Sequence, residues 1–177
     1  MIPFLGNLIL WFSLFFSIFQ FYVSKKNQKY KFLRIGAIGL LSSSLISFII
    51  LIYLHIVSDF TVLNVYQNSH TSKPLIYKIS GVWGNHEGSM LLWLMVLTIF
   101  NYFIFRLCNE KNLIFISKTL ETQAFIIIGF VLFTLLESNP FTLMNEYQVD
   151  GLGFNPILQD PALAAHPPLL YIGYVGF

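Results

Sequence analysis

The chain has 177 residues, of which 56% are hydrophobic and only 10% charged, with mean hydropathy +0.70 and a formal net charge of +2. An average soluble domain carries roughly 25% charged residues, so the composition excludes an ordinary soluble enzyme and points to an integral membrane protein. One cysteine, Cys108, excludes an internal disulfide and any Cys-x-x-Cys redox or metal motif.

Taken in chain order, hydropathy predicts an all-α, polytopic transmembrane helical bundle: four full spans, the start of a fifth, and two long loops on one side. The first span covers about residues 4–23. Its length, the lack of a basic region before it and the lack of a small-residue cleavage site after it argue against a signal peptide. A basic cluster follows, with Lys25, Lys26, Lys29, Lys31 and Arg34. The second span is expected at about 35–57, then a polar loop over 58–87 and a third span at about 88–107. A short turn over 108–118 leads to the fourth span at about 120–136. The long loop 137–167 ends at the fifth, which begins near Pro168 and reaches Phe177. Ten residues rise only ~15 Å, half a bilayer core, so the chain is expected to be one half of a split gene product or a fragment, forming a single transmembrane domain over 1–177.

Charge sets the expected orientation. The connectors after the first and third spans hold Lys25, Lys26, Lys29, Lys31, Arg34, Arg106, Lys111 and Lys118, whereas the loop after the second holds Lys73 and Lys78 and the loop after the fourth holds no Lys or Arg. The positive-inside rule then puts the amino terminus and both long loops outside. His55, His70, His86 and His166, together with Glu87 and Glu137, all fall at that face. Intramembrane ionisable groups are costly and usually functional or paired, while His55 and His70, at a span end and in a loop, read as interfacial and hydrated.

Two segments carry motif-like density. In Trp83-Gly84-Asn85-His86-Glu87-Gly88-Ser89, Gly84 and Gly88 form a small-xxx-small pair suited to helix contact, and Trp83 suits an interfacial aromatic belt. His86 and Glu87 could share a proton or orient a ligand, but neighbours on a helix point to different faces; a tightly packed helix entrance is the competing reading. In Gln159-Asp160-Pro161-Ala162-Leu163-Ala164-Ala165-His166-Pro167-Pro168-Leu169-Leu170-Tyr171, a proline-stiffened loop brings His166 to the mouth of an apolar helix. That would mount an axial metal ligand beside a membrane; a capped loop whose histidine only makes hydrogen bonds is the plainer alternative. Between these, Lys73 or Lys78 could meet a carboxylate, and Glu146, Asp150 and Asp160 make the last loop acidic enough for a basic partner. The Asn139-Pro140, Asn155-Pro156 and Asp160-Pro161 pairs mark turns. Zinc, phosphate-loop, nucleotide-glycine and nucleophile-elbow patterns are absent, and nothing argues for nucleic acid.

The first motif resembles the Trp-Gly-x-His-Glu-Gly-Ser block of CcmF, the haem lyase subunit of the multi-subunit cytochrome c maturation pathway. Asn155-Pro156-Ile157-Leu158-Gln159-Asp160-Pro161, followed by His166-Pro167-Pro168-Leu169-Leu170-Tyr171-Ile172-Gly173-Tyr174, resembles the block before that family's tryptophan-rich domain. The resemblance covers nearly the whole chain and reads most like mitochondrially encoded members. It implies a chain that helps hold haem at the outer face while thioether bonds form to apocytochrome c. His166 would be one of two outer axial ligands to the haem iron. Trp83, Gly84, His86, Glu87, Gly88, Asp160, Pro167, Pro168 and Tyr171 would be accessory or structural. The implied partners are a CcmE-like haem chaperone, a CcmH-like thiol subunit, apocytochrome c, the lipid bilayer and a carboxy-terminal partner chain. That partner would supply the tryptophan-rich motif, the second outer histidine and two membrane histidines that are missing here, so the chain is expected to be inactive and haem-poor alone. The mitochondrial inner membrane is the implied location, with a bacterial inner membrane as the alternative. A structural subunit of a larger membrane complex, without lyase activity, is the second functional reading.

Overall fold

The computed structural model describes residues 1–26, 30–109, 111–146, 148–153 and 159–176. Seven α-helices are seen among them: α1 Ile2–Lys25, α2 Tyr30–Ile56, α3 Leu63–Asn68, α4 Leu75–Gly81, α5 His86–Arg106, α6 Leu113–Leu136 and α7 Pro161–Gly176. Four of these, α1, α2, α5 and α6, are long and apolar enough to cross a bilayer, as the hydropathy reading expects. The Asn155-Pro156 turn and the 155–158 part of the second motif lie outside the described residues.

The main helix contacts run α1–α2, α2–α5, α5–α6 and α6–α1, which closes a ring of four, and α7 lies against α5 and α4. Exposed Phe4, Phe12, Phe15, Ile49, Phe103 and Phe125 line the outside of that ring, as lipid-facing positions should. The inside is unusually polar. Ser13 Oγ donates to Ser43 Oγ at 2.9 Å, Ser44 and Thr98 share a 2.6 Å bond, and Ser117 Oγ donates to the Ser24 carbonyl at 2.8 Å. Between helices in lipid, small hydroxyls allow close approach and satisfy one another. Gly36 belongs to the same logic: a Cβ there would lie 2.0 Å from Gln20 Oε1.

Several boundaries differ from the sequence reading. The segment 58–87 is not an irregular loop but carries α3 and α4. The fourth span starts at Leu113, not near 120, because Lys118 and Glu121 pair at 2.7 Å on an exposed helix face instead of ending the helix. Lys118 is therefore helical, as are Lys31, Arg34 and Arg106, which belong to α2 and α5. The last helix begins at Pro161, seven residues before the expected Pro168.

At one end of the bundle the two long loops are stapled together. Leu63 N–H donates to the Thr142 carbonyl at 2.9 Å and Met144 N–H to the Thr61 carbonyl at 2.8 Å, around a Val62–Leu143 bridge. Asn139 Nδ2 reaches Asn7 Oδ1 at 3.0 Å. A second staple joins 66–71 to 150–153: Leu152 N–H donates to the Tyr66 carbonyl and Gly153 N–H to the Ser69 carbonyl. Gly151 is required there, since a Cβ would sit 2.1 Å from the Ser69 carbonyl oxygen.

Candidate functional site

The first motif builds the start of α5. Asn85 is its N-cap: Oδ1 accepts the Gly88 N–H at 2.8 Å, satisfying one of the donors every helix start leaves open. The same oxygen accepts from Asn64 Nδ2 at 2.7 Å, and Asn85 Nδ2 donates to the Gly81 and Val82 carbonyls at 2.8 and 3.2 Å. Ser89 Oγ donates to the Trp83 carbonyl at 2.8 Å, and Gly84 N–H to the Ser80 carbonyl at 3.0 Å. Glu87 sits in the first turn, where a carboxylate complements the helix dipole, and accepts from Asn64 at 3.4 Å. His86 is turned the other way, its Nδ1 2.9 Å from Ser138 Oγ and its ring edge-on to Phe133. His86 and Glu87 therefore do not bond each other. Gly88 packs on the Val82 carbonyl at the end of α4.

The second motif builds α7. Asp160 caps it, Oδ1 accepting the Ala162 N–H at 2.8 Å with Pro161 at the first helical position. His166 is therefore not on a loop: it is the sixth residue of a helix, and Pro167 and Pro168 lie inside that helix. Proline at a helix mouth suggests a loop up to 167, but Asp160 starts the helix about two turns earlier. Tyr171 stacks on Trp93 of α5, ring centroids 5.5 Å apart. Trp83 joins the two motifs: its Nε1 donates to the Ala164 carbonyl at 2.8 Å, and its ring stacks on Phe48 of α2. It is half-buried in this packing.

The four histidines separate by environment. His55 is fully buried, contrary to the hydrated position expected of it; its Nδ1 lies 3.1 Å from the Leu51 carbonyl, and its ring is covered by Gly81 of α4. His70 is 3.3 Å from Asp150 and 2.9 Å from Ser72 Oγ. His86 is held by Ser138. The exposed ring of His166 makes no hydrogen bond among the described residues. It heads an open groove of about 500 Å³ whose other walls are Leu169, Leu170, Gly173 and Tyr174, positions that repeat on one face of α7 at helical spacing. Among the described residues no cluster of three or more His, Cys, Asp or Glu forms a metal site, so one imidazole at the head of an apolar bed is what this chain presents.

Other expected groups are occupied. Lys73 donates to the Asn68 carbonyl at 3.0 Å, with burial pushing its ammonium down to about 8. Lys78 donates to Ser58 Oγ at 2.8 Å. Cys108 is buried and its thiol is pushed up by burial, which makes it a small hydrophobe. Asp150 is spent inside the protein: Thr71 Oγ1 at 2.6 Å, chiefly, with the Thr71 and Gly151 N–H groups and His70, holds its carboxyl below the ordinary aspartate range. A depressed carboxyl contributes stability that is present above its unfolded value of about 3.9 and is lost as pH falls through the lower folded value. Protection of the Leu152 and Gly153 amides, corrected for intrinsic exchange, should thus hold at neutral pH and fall below about 3.9. Asp150→Asn should show the loss already at pH 7. Equal protection in both proteins at both pH values would rule out the staple.

A ring of four membrane-length helices, closed at one end by interlocked loops and flanked by a helix that presents one imidazole, defines a polytopic helical membrane protein. The chain belongs to the family described as cytochrome C assembly protein, whose model matches residues 83–177 and so takes in both motifs. It is 52% identical over 131 residues to the cytochrome c-type biogenesis protein CycK of Bradyrhizobium diazoefficiens, covering 74% of this chain and 20% of that one. It is 42% identical over 184 residues to CcmF of Haemophilus influenzae, covering 100% of this chain and 28% of the relative. The solved structure of a cytochrome c heme lyase CcmF shares the fold, with a TM-score of 0.82 at 24% identity over 99% of this chain and 28% of that one. The chain thus spans 20–28% of the length of these relatives.

Proposed function

We propose that this chain is part of a cytochrome c haem lyase and that its task is to present His166, on α7, as an axial ligand to haem. The observation that carries the reading is the contrast among the histidines: three rings are buried or bonded within the protein, whereas His166 is exposed at the head of an apolar groove. That fits haem, whose flat faces are apolar and whose iron takes a neutral imidazole. Leu169, Leu170, Gly173 and Tyr174 would support one face of the ring system, with Gly173 leaving room because no atom of the described residues lies within 4 Å of where a Cβ would be. When bound, haem would supply the iron and the vinyl groups at which thioether bonds to apocytochrome c form. This chain's residues position it and exclude water from one side.

The rest of the platform, including the second ligand, would come from the remaining part of the relatives' length. In the split form that part is a carboxy-terminal partner chain. CcmE-like and CcmH-like subunits and apocytochrome c would meet the same surface. The uneven Lys and Arg distribution supports placing the loop end outside, in the mitochondrial intermembrane space or, in a bacterium, the periplasm. A reporter fused within 138–153 that became active on the inner side would overturn that orientation.

A scaffold role is the second reading. It is favoured by the first motif, whose Asn85 and Ser89 side chains build the start of α5. Optical spectra of the native complex isolated through this chain separate the two. His166→Ala should lower haem occupancy at least as much as loss of an outer-shell partner lowers metal affinity, ~10–100-fold, with a shifted Soret band in what remains. His86→Ala, which removes a ring already bonded to Ser138, should leave the spectrum unchanged. Identical spectra for wild type and His166→Ala would favour the scaffold.

A further inference from the structure

We propose that Trp83 is the positioning residue for His166, acting through a helix carbonyl that Pro168 leaves without its own partner. In an α-helix the N–H of residue 168 would donate to the carbonyl of Ala164. Proline has no N–H, so that bond does not exist and the carbonyl must find another donor or stay costly. The Trp83 indole supplies it at 2.8 Å. Trp83 is well placed to do so because it is itself fixed twice: its ring stacks on Phe48 of α2 at 6.4 Å, and its carbonyl accepts Ser89 Oγ of α5 at 2.8 Å.

The bond sets the rotation of α7, not only its distance. His166 follows Ala164 by two residues, roughly 200° round the helix axis. Tying the Ala164 carbonyl to the bundle therefore turns the His166 ring away from it, towards the groove with Leu169, Leu170, Gly173 and Tyr174. The Trp93–Tyr171 stack holds the same helix further along, more than one turn past His166, whereas the Trp83 bond acts on the turn that carries His166. The proline pair thus frees a carbonyl where Trp83 can use it, which couples the two motifs of the sequence. As far as haem is concerned, the inference rests on the function proposed above; the Trp83–Ala164 coupling itself does not.

The test uses the native complex with Trp83→Phe, which keeps a stacking ring and removes only the donor, and with Trp83→Phe combined with Pro168→Ala. Alanine at 168 restores the N–H that an ordinary helix would give Ala164. Trp83→Phe should speed amide exchange across 162–171 by about 5- to 100-fold, the range for a half-buried carbonyl losing its donor, while α1, α2, α5 and α6 exchange as in wild type. Its haem bands should shift in the direction seen with His166→Ala, and the double variant should return both readouts towards wild type. Unchanged exchange in Trp83→Phe, or no recovery in the double variant, would overturn the coupling. Altered exchange with unmoved haem bands, where His166→Ala does move them, would overturn positioning. If His166→Ala moves no band, the haem ligand reading fails, and exchange alone then decides whether Trp83 governs α7.

Discussion

Gly88→Ala should prevent the start of α5 from forming in its native position. A Cβ at residue 88 would lie 1.5 Å from the Val82 carbonyl oxygen and 2.7 Å from its carbon. Those are backbone atoms of a fully buried residue, so no side-chain rotation relieves the contact; the 82–85 turn or the first turn of α5 must move. The Val82 oxygen is also held by Asn85 Nδ2, so moving it breaks a bond as well. Overpacking typically costs 1–3 kcal/mol, and here the expected loss is at or beyond the top of that range, about 3 kcal/mol, against a total stability on the order of 5–15 kcal/mol. Gly129→Ala is the control: in mid-α6, where no atom of the described residues lies within 4 Å of an added Cβ, it should gain up to about 1 kcal/mol from helix propensity. Protease resistance in membranes and the thermal midpoint of the purified complex should move in opposite directions for the two. A Gly88→Ala chain as resistant as wild type would mean that the 82–88 approach is not part of the native fold.

The four spans were legible because burial in lipid demands long apolar helices and little else. What the sequence reading missed has local physical causes. Lys118 looks like part of a turn by hydropathy, yet on the helix it pairs with Glu121 three residues on. Pro168 looks like a helix start, but the helix already begins at Pro161, where Asp160 caps it. His55 looks hydrated at a span end until α4, too short to announce itself by periodicity, folds over it with Gly81 against the ring. The loop staples pair residues 79 or more positions apart, Thr71 with Asp150 being among the nearest, and no local pattern encodes such a pairing. The two motifs are visible in the sequence, but as separate features. Their union through the Trp83 indole needed the helix register of α7, which fixes whose carbonyl Pro168 leaves open.

Asn85→Ala carries the second large effect, because one side chain serves four partners. The amide oxygen caps α5 and accepts from Asn64; the amide nitrogen holds the Gly81 and Val82 carbonyls. Loss of the cap alone costs about 1 kcal/mol, and each buried group left without a partner adds about 1–3 kcal/mol. The shared geometry makes these terms non-additive, so the expected total is about 2–4 kcal/mol. Asn85→Ser separates the contributions: serine can cap α5 but cannot reach the two carbonyls as a donor, so it should recover only about 1 kcal/mol. Thermal midpoints of the three proteins in one detergent decide the matter, and equal midpoints for Ser and wild type would reduce Asn85 to a simple cap. The damage should also travel. Trp83 lies two residues before Asn85 in the turn that these bonds hold, so Asn85→Ala should loosen amide exchange in α7 as well as at the start of α5. A variant that loosens α5 and leaves α7 protected would show that Trp83 is fixed by Phe48 and Ser89 alone, without help from the turn.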